Sequence, residues 1–193
     1  MSEPQQICTV EHKSTALQAW QVPTQQAAFR LLLEAFSYPG RRIELNTEGD
    51  ALVLVLATLL DGGVTLADPQ GLVSADDQRR LGVTTVSPEQ AQYVVMSGDH
   101  VPDFKPALGT LESPEQGATL ILKVGSLGSD GCLRLSGPGI KSESSLSVTG
   151  IDPAWWARRN SWNGAFPLGI DLILVAGNQV VALPRTTRIQ GAD

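Results

Sequence analysis

Histidine and cysteine are scarce, with two of each in 193 residues. His12 and His100 are too few for a zincin-type or His-rich metal site, and no metal centre is expected. Cys8 and Cys132 form no CxxC pair and offer no disulfide framework, which fits a reducing compartment and a cytoplasmic protein. Long apolar runs are missing too. The longest, residues 51–60, is half of the ~20 residues that a membrane span needs. The opening MSEPQQICTVEHKS has neither a basic start nor an apolar stretch, so no secretory signal is expected. Basic residues are also in deficit, 14 against 20 acidic, for a net charge of −6. A concentrated basic face for nucleic acid is therefore not expected.

What remains is enough for one core. Hydrophobic residues make up 42% of the chain, and a globule this size buries roughly 70% of the surface its unfolded chain exposes. The reading is an N-terminal arm over residues 1–22 and a single domain over residues 23–193. Charge is uneven along it. Residues 47–130 carry four basic and twelve acidic groups, whereas residues 131–193 carry six and four. An acidic middle reads first as solvated surface. The C-terminal arginines, with Lys141, leave open a site for an anion.

The first helix is expected from Thr24, as N-cap, to the stop at Pro39-Gly40. Ala28, Leu31, Leu32, Ala35 and Phe36 recur at helical spacing. Phe29 and Leu33 widen that apolar face, so the helix should be covered from two sides. Strand signals follow at residues 41–45 and 64–67. Between them the apolar run capped by Asp50 reads as a buried helix. Ser74 and Asp77 suggest a capping box, residues 93–96 a strand, and residues 97–117 a long surface loop. Beyond them the chain reads as β-rich. Residues 118–124 and 132–135 are strands separated by GSLGSDG, a long hairpin loop. Asp152-Pro153 opens a helix carrying Trp155, Trp156, Arg158, Arg159 and Trp162. Residues 170–175 and 180–183 form a tight hairpin with Gly177-Asn178 at its tip. Interleaved helices and strands followed by paired strands indicate α/β with a mixed sheet.

Four groups of residues are chemically interesting. Gly137 and Gly139, in SGPGIKS, could turn backbone amides toward an anion, with Lys141 adding charge. However, Ile140 interrupts the Gly-Lys-Ser order of a P-loop, and a plain turn after a strand is the favoured explanation of the glycines. Arg185, Thr186 and Thr187, in PRTT, could grip a phosphate or carboxylate at a strand end, or could make a subunit contact there. Asp171 interrupts an apolar strand, where a carboxylate must be paired. It is an acid/base group or a structural partner for Arg185. Trp155 and Trp156 with Arg158 and Arg159 suit a partner surface, an adenine-stacking face, or the core. The histidines sit in polar settings and read as surface. Lys105, Lys123 and Lys141 lie in no Schiff-base signature.

Taken together, FRLLLEAFSYPG, GATLILKV, LSGPGI and FPLGIDLILVAGNQVVALPRTTRI, in that order, resemble the PhnH family of the bacterial carbon–phosphorus lyase system. The resemblance spans residues 23–189. It implies a three-layer α/β/α domain with a mixed sheet, similar to type I PLP-dependent transferases but without the PLP site, so no cofactor is expected. It also implies a homodimer and partners of the PhnG, PhnI, PhnJ and PhnL type. The implied role is attachment of methylphosphonate to the ribose of ATP, giving ribose 1-methylphosphonate 5-triphosphate, in phosphonate catabolism. Three expectations follow: an accessory subunit with little catalytic power of its own, a subunit that holds ATP or phosphonate, and, last, an independent enzyme.

Overall fold

The computed structural model describes residues 18–47 and 50–191; Cys8 and His12 lie outside them. The described chain runs α1 (Val22–Ser37), β1 (Ile43–Glu44), α2 (Ala51–Leu59), β2 (Thr65–Ala67), α3 (Ala75–Leu81), β3 (Thr84–Thr85) and β4 (Tyr93–Ser97). After a short 3₁₀ turn (Pro114–Gln116) come β5 (Thr119–Lys123), β6 (Ser126–Ser136), β7 (Ser144–Thr149), α4 (Ala154–Trp162), β8 (Asp171–Ala176), β9 (Gln179–Leu183) and β10 (Arg188–Gln190). Seven strands form one mixed sheet in the order β1-β9-β8-β5-β4-β2-β3, and three form a second sheet, β10-β6-β7.

Strands β4, β5 and β8 run parallel in the middle of the large sheet. A strand covered on both faces needs a continuous apolar run, which TLILK and DLILVA supply. Alternation then assigns each face. Val95, Ile121 and Ile173 pack under Ala28, Leu32 and Ala35 of α1 and Leu52 and Val55 of α2. Leu120, Leu122, Leu172 and Leu174 pack on the other side, against Trp155 and Trp162 of α4 and Leu133, Leu135 and Leu146 of the second sheet. The molecule is thus α/β with a mixed sheet between two layers. The layer opposite α1 and α2 is a helix combined with a small antiparallel sheet, where helices alone were expected.

Local signals explain most element ends. Asp50 caps α2 by accepting a hydrogen bond from the Leu52 amide at 3.0 Å. Ser74 caps α3 through the Asp77 amide at 3.1 Å, and Gly82 closes that helix in the left-handed conformation. The hairpin at Gly177 joins β8 to β9 as expected.

Three expectations fail. Helix α1 starts at Val22 with no side-chain cap, and Pro23 fits its first turn because proline has no N–H to leave without an intrahelical partner there. GSLGSDG is no hairpin loop: β6 begins at Ser126 and pairs with β7, a strand absent from the sequence reading, with a register shift between Gly128 and Leu133. Small polar residues signal turns locally, and cross-strand pairing overrides that preference here. Finally, Phe29 and Leu33 remain 46% and 51% exposed, so α1 is covered on one side only.

Candidate functional site

Asp171 opens β8, and Arg185 lies two residues beyond the end of β9, so the antiparallel pairing of these strands brings the two together. One Asp171 oxygen accepts the Arg185 backbone amide at 2.7 Å. The other accepts Nε at 3.2 Å and Nη2 at 2.7 Å. Nη1 donates to the carbonyls of Pro114, at 2.6 Å, and Pro167, at 3.4 Å. A guanidinium has five N–H groups, so this network leaves one on Nη2. Side-chain exposure is 14% for Arg185 and 22% for Asp171. Gly117 permits the arrangement, because a Cβ there would lie 2.8 Å from Nη1. Arg185 therefore ties the turn before β5 and the loop before β8 to the end of β9.

A second arginine holds the same segment from beneath. Arg159 of α4 is 1% exposed. Its Nη1 donates to the Thr187 carbonyl at 3.0 Å, and Nη2 to those of Pro184 at 2.7 Å and Leu183 at 3.4 Å. Burial pushes its pKa down to about 10, and the Asp171 charge draws it back up. It remains a cation at neutral pH. Asn160 donates to the Ile189 carbonyl at 3.1 Å, and Asn163 bonds both the amide and the carbonyl of Ile170. Arg159 Nε, Trp155 Nε1 and Thr187 Oγ1 are buried with no hydrogen-bond partner.

The glycine loop leaves β6 and wedges between these parts. Gly137, at φ +138°, has room for no side chain, since a Cβ would stand 2.8 Å from the Thr186 carbonyl oxygen. Gly139, at φ +82°, lies against the Ser37 carbonyl and the Pro39 ring at the end of α1. The Ile140 amide donates back to the Gly137 carbonyl at 3.1 Å. Residues 37–40, 135–140 and 184–187 thus pack on one another around the end of β9.

The placement of each candidate follows. Asp171 and Arg185 are partners. Thr187 is 2% exposed, while Thr186 is half-buried beside Gly137. Trp155 and Trp156, at 0% and 4% exposure, are core, so they offer no partner surface; a ring of that size fills the space under the large sheet. Arg159 leaves the surface with them. Arg158 alone of that group is exposed, with its guanidinium 6.0 Å from the Trp162 ring centre. Lys141 is exposed past the glycine loop.

The sequence reading missed a cavity of about 450 Å³. Gln70, Glu89, Met96, His100, Asp103 and Phe104 line it, where the chain leaves β2 and β4. Ligands in open α/β sheets favour the carboxyl ends of parallel strands, the one signal that could have found it. No lysine or arginine lines it. Among the described residues no group of three His, Cys, Asp or Glu side chains could hold a metal, and no helix is long and apolar enough to cross a membrane.

The distinctive polar residues of this α/β chain hold its loops together around the end of β9. Residues 16–190 match the family model described as bacterial phosphonate metabolism protein (PhnH), and the chain belongs to the PhnH family. It is 53% identical over 175 residues, 90% of each chain, to the "Putative C-P lyase subunit protein HtxG" of Stutzerimonas stutzeri. It is 31% identical over 182 residues to the alpha-D-ribose 1-methylphosphonate 5-triphosphate synthase subunit PhnH of Rhizobium meliloti (strain 1021), with 86% of this chain and 90% of the relative covered.

Proposed function

We propose that this chain is the PhnH-type subunit of a carbon–phosphorus lyase system. It acts with PhnG-, PhnI- and PhnL-type subunits to form ribose 1-methylphosphonate 5-triphosphate from ATP and methylphosphonate, in an assembly that includes a PhnJ-type subunit. The observation that carries this reading is similarity over 90% and 86% of the chain to two proteins, one named as a C-P lyase subunit and one as a subunit of alpha-D-ribose 1-methylphosphonate 5-triphosphate synthase. Its role is accessory: it shapes the assembly and supplies little chemistry itself. The inward use of Arg159, Asp171 and Arg185 supports that role, since arginines engaged with backbone carbonyls and a carboxylate engaged with Arg185 are not poised to move protons or hold a reacting phosphonate. The reading extends to a cytoplasmic homodimer with a layered domain of the type I PLP-transferase kind that uses no PLP. An absorbance scan between about 300 and 450 nm tests the last point, because a bound PLP absorbs there while the polypeptide does not.

Co-expression with PhnG-, PhnI- and PhnJ-type subunits, followed by affinity purification on one of them, tests the function. The chain is expected to co-elute at fixed stoichiometry through gel filtration. Failure to join them under any phosphonate-induced condition contradicts the proposal.

A further inference from the structure

The chain leaves two neighbouring strands of the large sheet in opposite directions. β2 and β4 lie side by side and parallel. From the end of β2 the chain runs through α3 to β3, on the far side of β2 from β4. From the end of β4 it runs to β5, on the far side of β4 from β2. The two exits also turn to opposite faces of the sheet. Val73 and Leu81 pack into the core with α1 and α2, while Val101 and Phe104 pack on the Trp155 side. Diverging exits open a crevice at the carboxyl ends of the strands, and open α/β sheets take their ligands there.

The cavity of about 450 Å³ lies in this crevice, with Gln70 from the first exit and His100, Asp103 and Phe104 from the second. Its walls are fixed by hydrogen bonds. Gln70 Oε1 accepts the Ser97 amide at 2.6 Å, which ties one exit to the other. Asp68 accepts the amides of Leu72 and Val73 at 2.9 and 2.8 Å, so its carboxylate serves the first exit. At the start of the second, the Gly98 amide donates to the Lys123 carbonyl at 2.8 Å, and the Asp152 amide donates to the Gly98 carbonyl at 2.9 Å. Walls held in this way need little ordering when a ligand enters.

The lining selects the ligand by charge. Met96, 3% exposed, and the half-buried Phe104 give an apolar surface. Glu89 and Asp103 add two exposed carboxylates from separate stretches of chain, and neither has a partner among the described residues. Lys105 follows Phe104 but does not line the cavity. A phosphate or phosphonate would meet like charge here. An ammonium on an apolar body meets carboxylates at its charge and Met96 and Phe104 along its body, and the ring face itself attracts a cation.

We infer that the crevice between the ends of β2 and β4 is a binding site for a small organic cation, an ammonium group carried on an apolar body. The inference stands on the topology and the lining, and it is independent of the subunit assignment.

Titration of the ¹⁵N-labelled full chain with benzylamine, benzyl alcohol and benzoate at pH 8 tests it, because the three share one apolar body and differ in charge. Benzylamine is expected to shift the amides of residues 69–70, 89 and 96–104 and to bind at least about tenfold more tightly than benzoate, with benzyl alcohol between them. Glu89→Gln and Asp103→Asn, with unchanged melting temperatures, should each weaken benzylamine about two- to fivefold and leave benzyl alcohol as it was. Asp130→Asn, on the second sheet, should change nothing. Benzoate binding as tightly as benzylamine overturns the inference. So does a preference for benzylamine that survives in the Glu89→Gln, Asp103→Asn double variant. Shifts scattered over the acidic surface, and weakened equally by Asp130→Asn, overturn it too. None of these results bears on assembly with other subunits, which co-purification tests separately.

Discussion

Two regions of this molecule use their polar residues in opposite ways. Around the end of β9, Arg159, Arg185, Asp171 and Asn163 turn inward, and most of their donors meet a backbone carbonyl or a carboxylate. Where the chain leaves β2 and β4, Glu89, His100 and Asp103 are exposed around an open cavity. Of the segments that carry the resemblance, residues 37–40, 135–140 and 167–187 lie in the first region with Gly117 against it, and none lines the second. In this chain those segments specify how loops are held, and they do not outline the cavity where β2 and β4 end. A recognisable motif and a ligand site are separate properties of a sequence.

The contrast can be broken most severely at Arg159. Replacing it with alanine removes a buried cation together with its hydrogen bonds to the carbonyls of Thr187, Leu183 and Pro184. A loss of about 3–5 kcal/mol is expected in urea unfolding, or no folded protein at all. If Arg159→Ala unfolds like the wild type, the inward network does not hold the fold.

Arg185→Ala comes next, with a loss of about 2–3 kcal/mol, because Asp171 stays partly buried without its cation. Cells carrying it should grow poorly on methylphosphonate as sole phosphorus source. Normal growth would show that Arg185 has neither a ligand role nor an important structural one. Gly139→Ala should cost about 1–2 kcal/mol, since φ is +82° and the new methyl would press on the Ser37 carbonyl. The smallest effects belong to the other region: His100→Ala and Asp103→Asn should each lie within ~0.5 kcal/mol of wild type. Thermal melts rank all four, and a reversed order would erase the distinction between the two regions.

Much of this was legible from the sequence. Asp50, the Ser74–Asp77 pair and Gly177 fixed their element ends because capping and turn chemistry are local. The apolar runs of β5 and β8 marked those segments as strands for the same reason. Asp171 was recognisable as a carboxylate in need of a partner, and Arg185 was the partner named. What was hidden depends on long-range pairing. Strands β7 and β10 are short and polar, and only β6 between them makes them strands. The burial of Trp155, Trp156 and Arg159 could not be read from α4, whose arginines suggest a surface until the PRTT carbonyls are placed against Arg159. The cavity where β2 and β4 end has no sequence motif, since residues from four separate stretches meet there only after folding.

The claim that the signature residues hold the fold, leaving substrate handling to the assembly, is tested most directly by titrating the isolated folded protein with ATP and with methylphosphonate in a calorimeter. The account predicts no saturable heat from either ligand. Saturable binding that disappears in Arg185→Ala, while a melt shows that variant still folded, would contradict it.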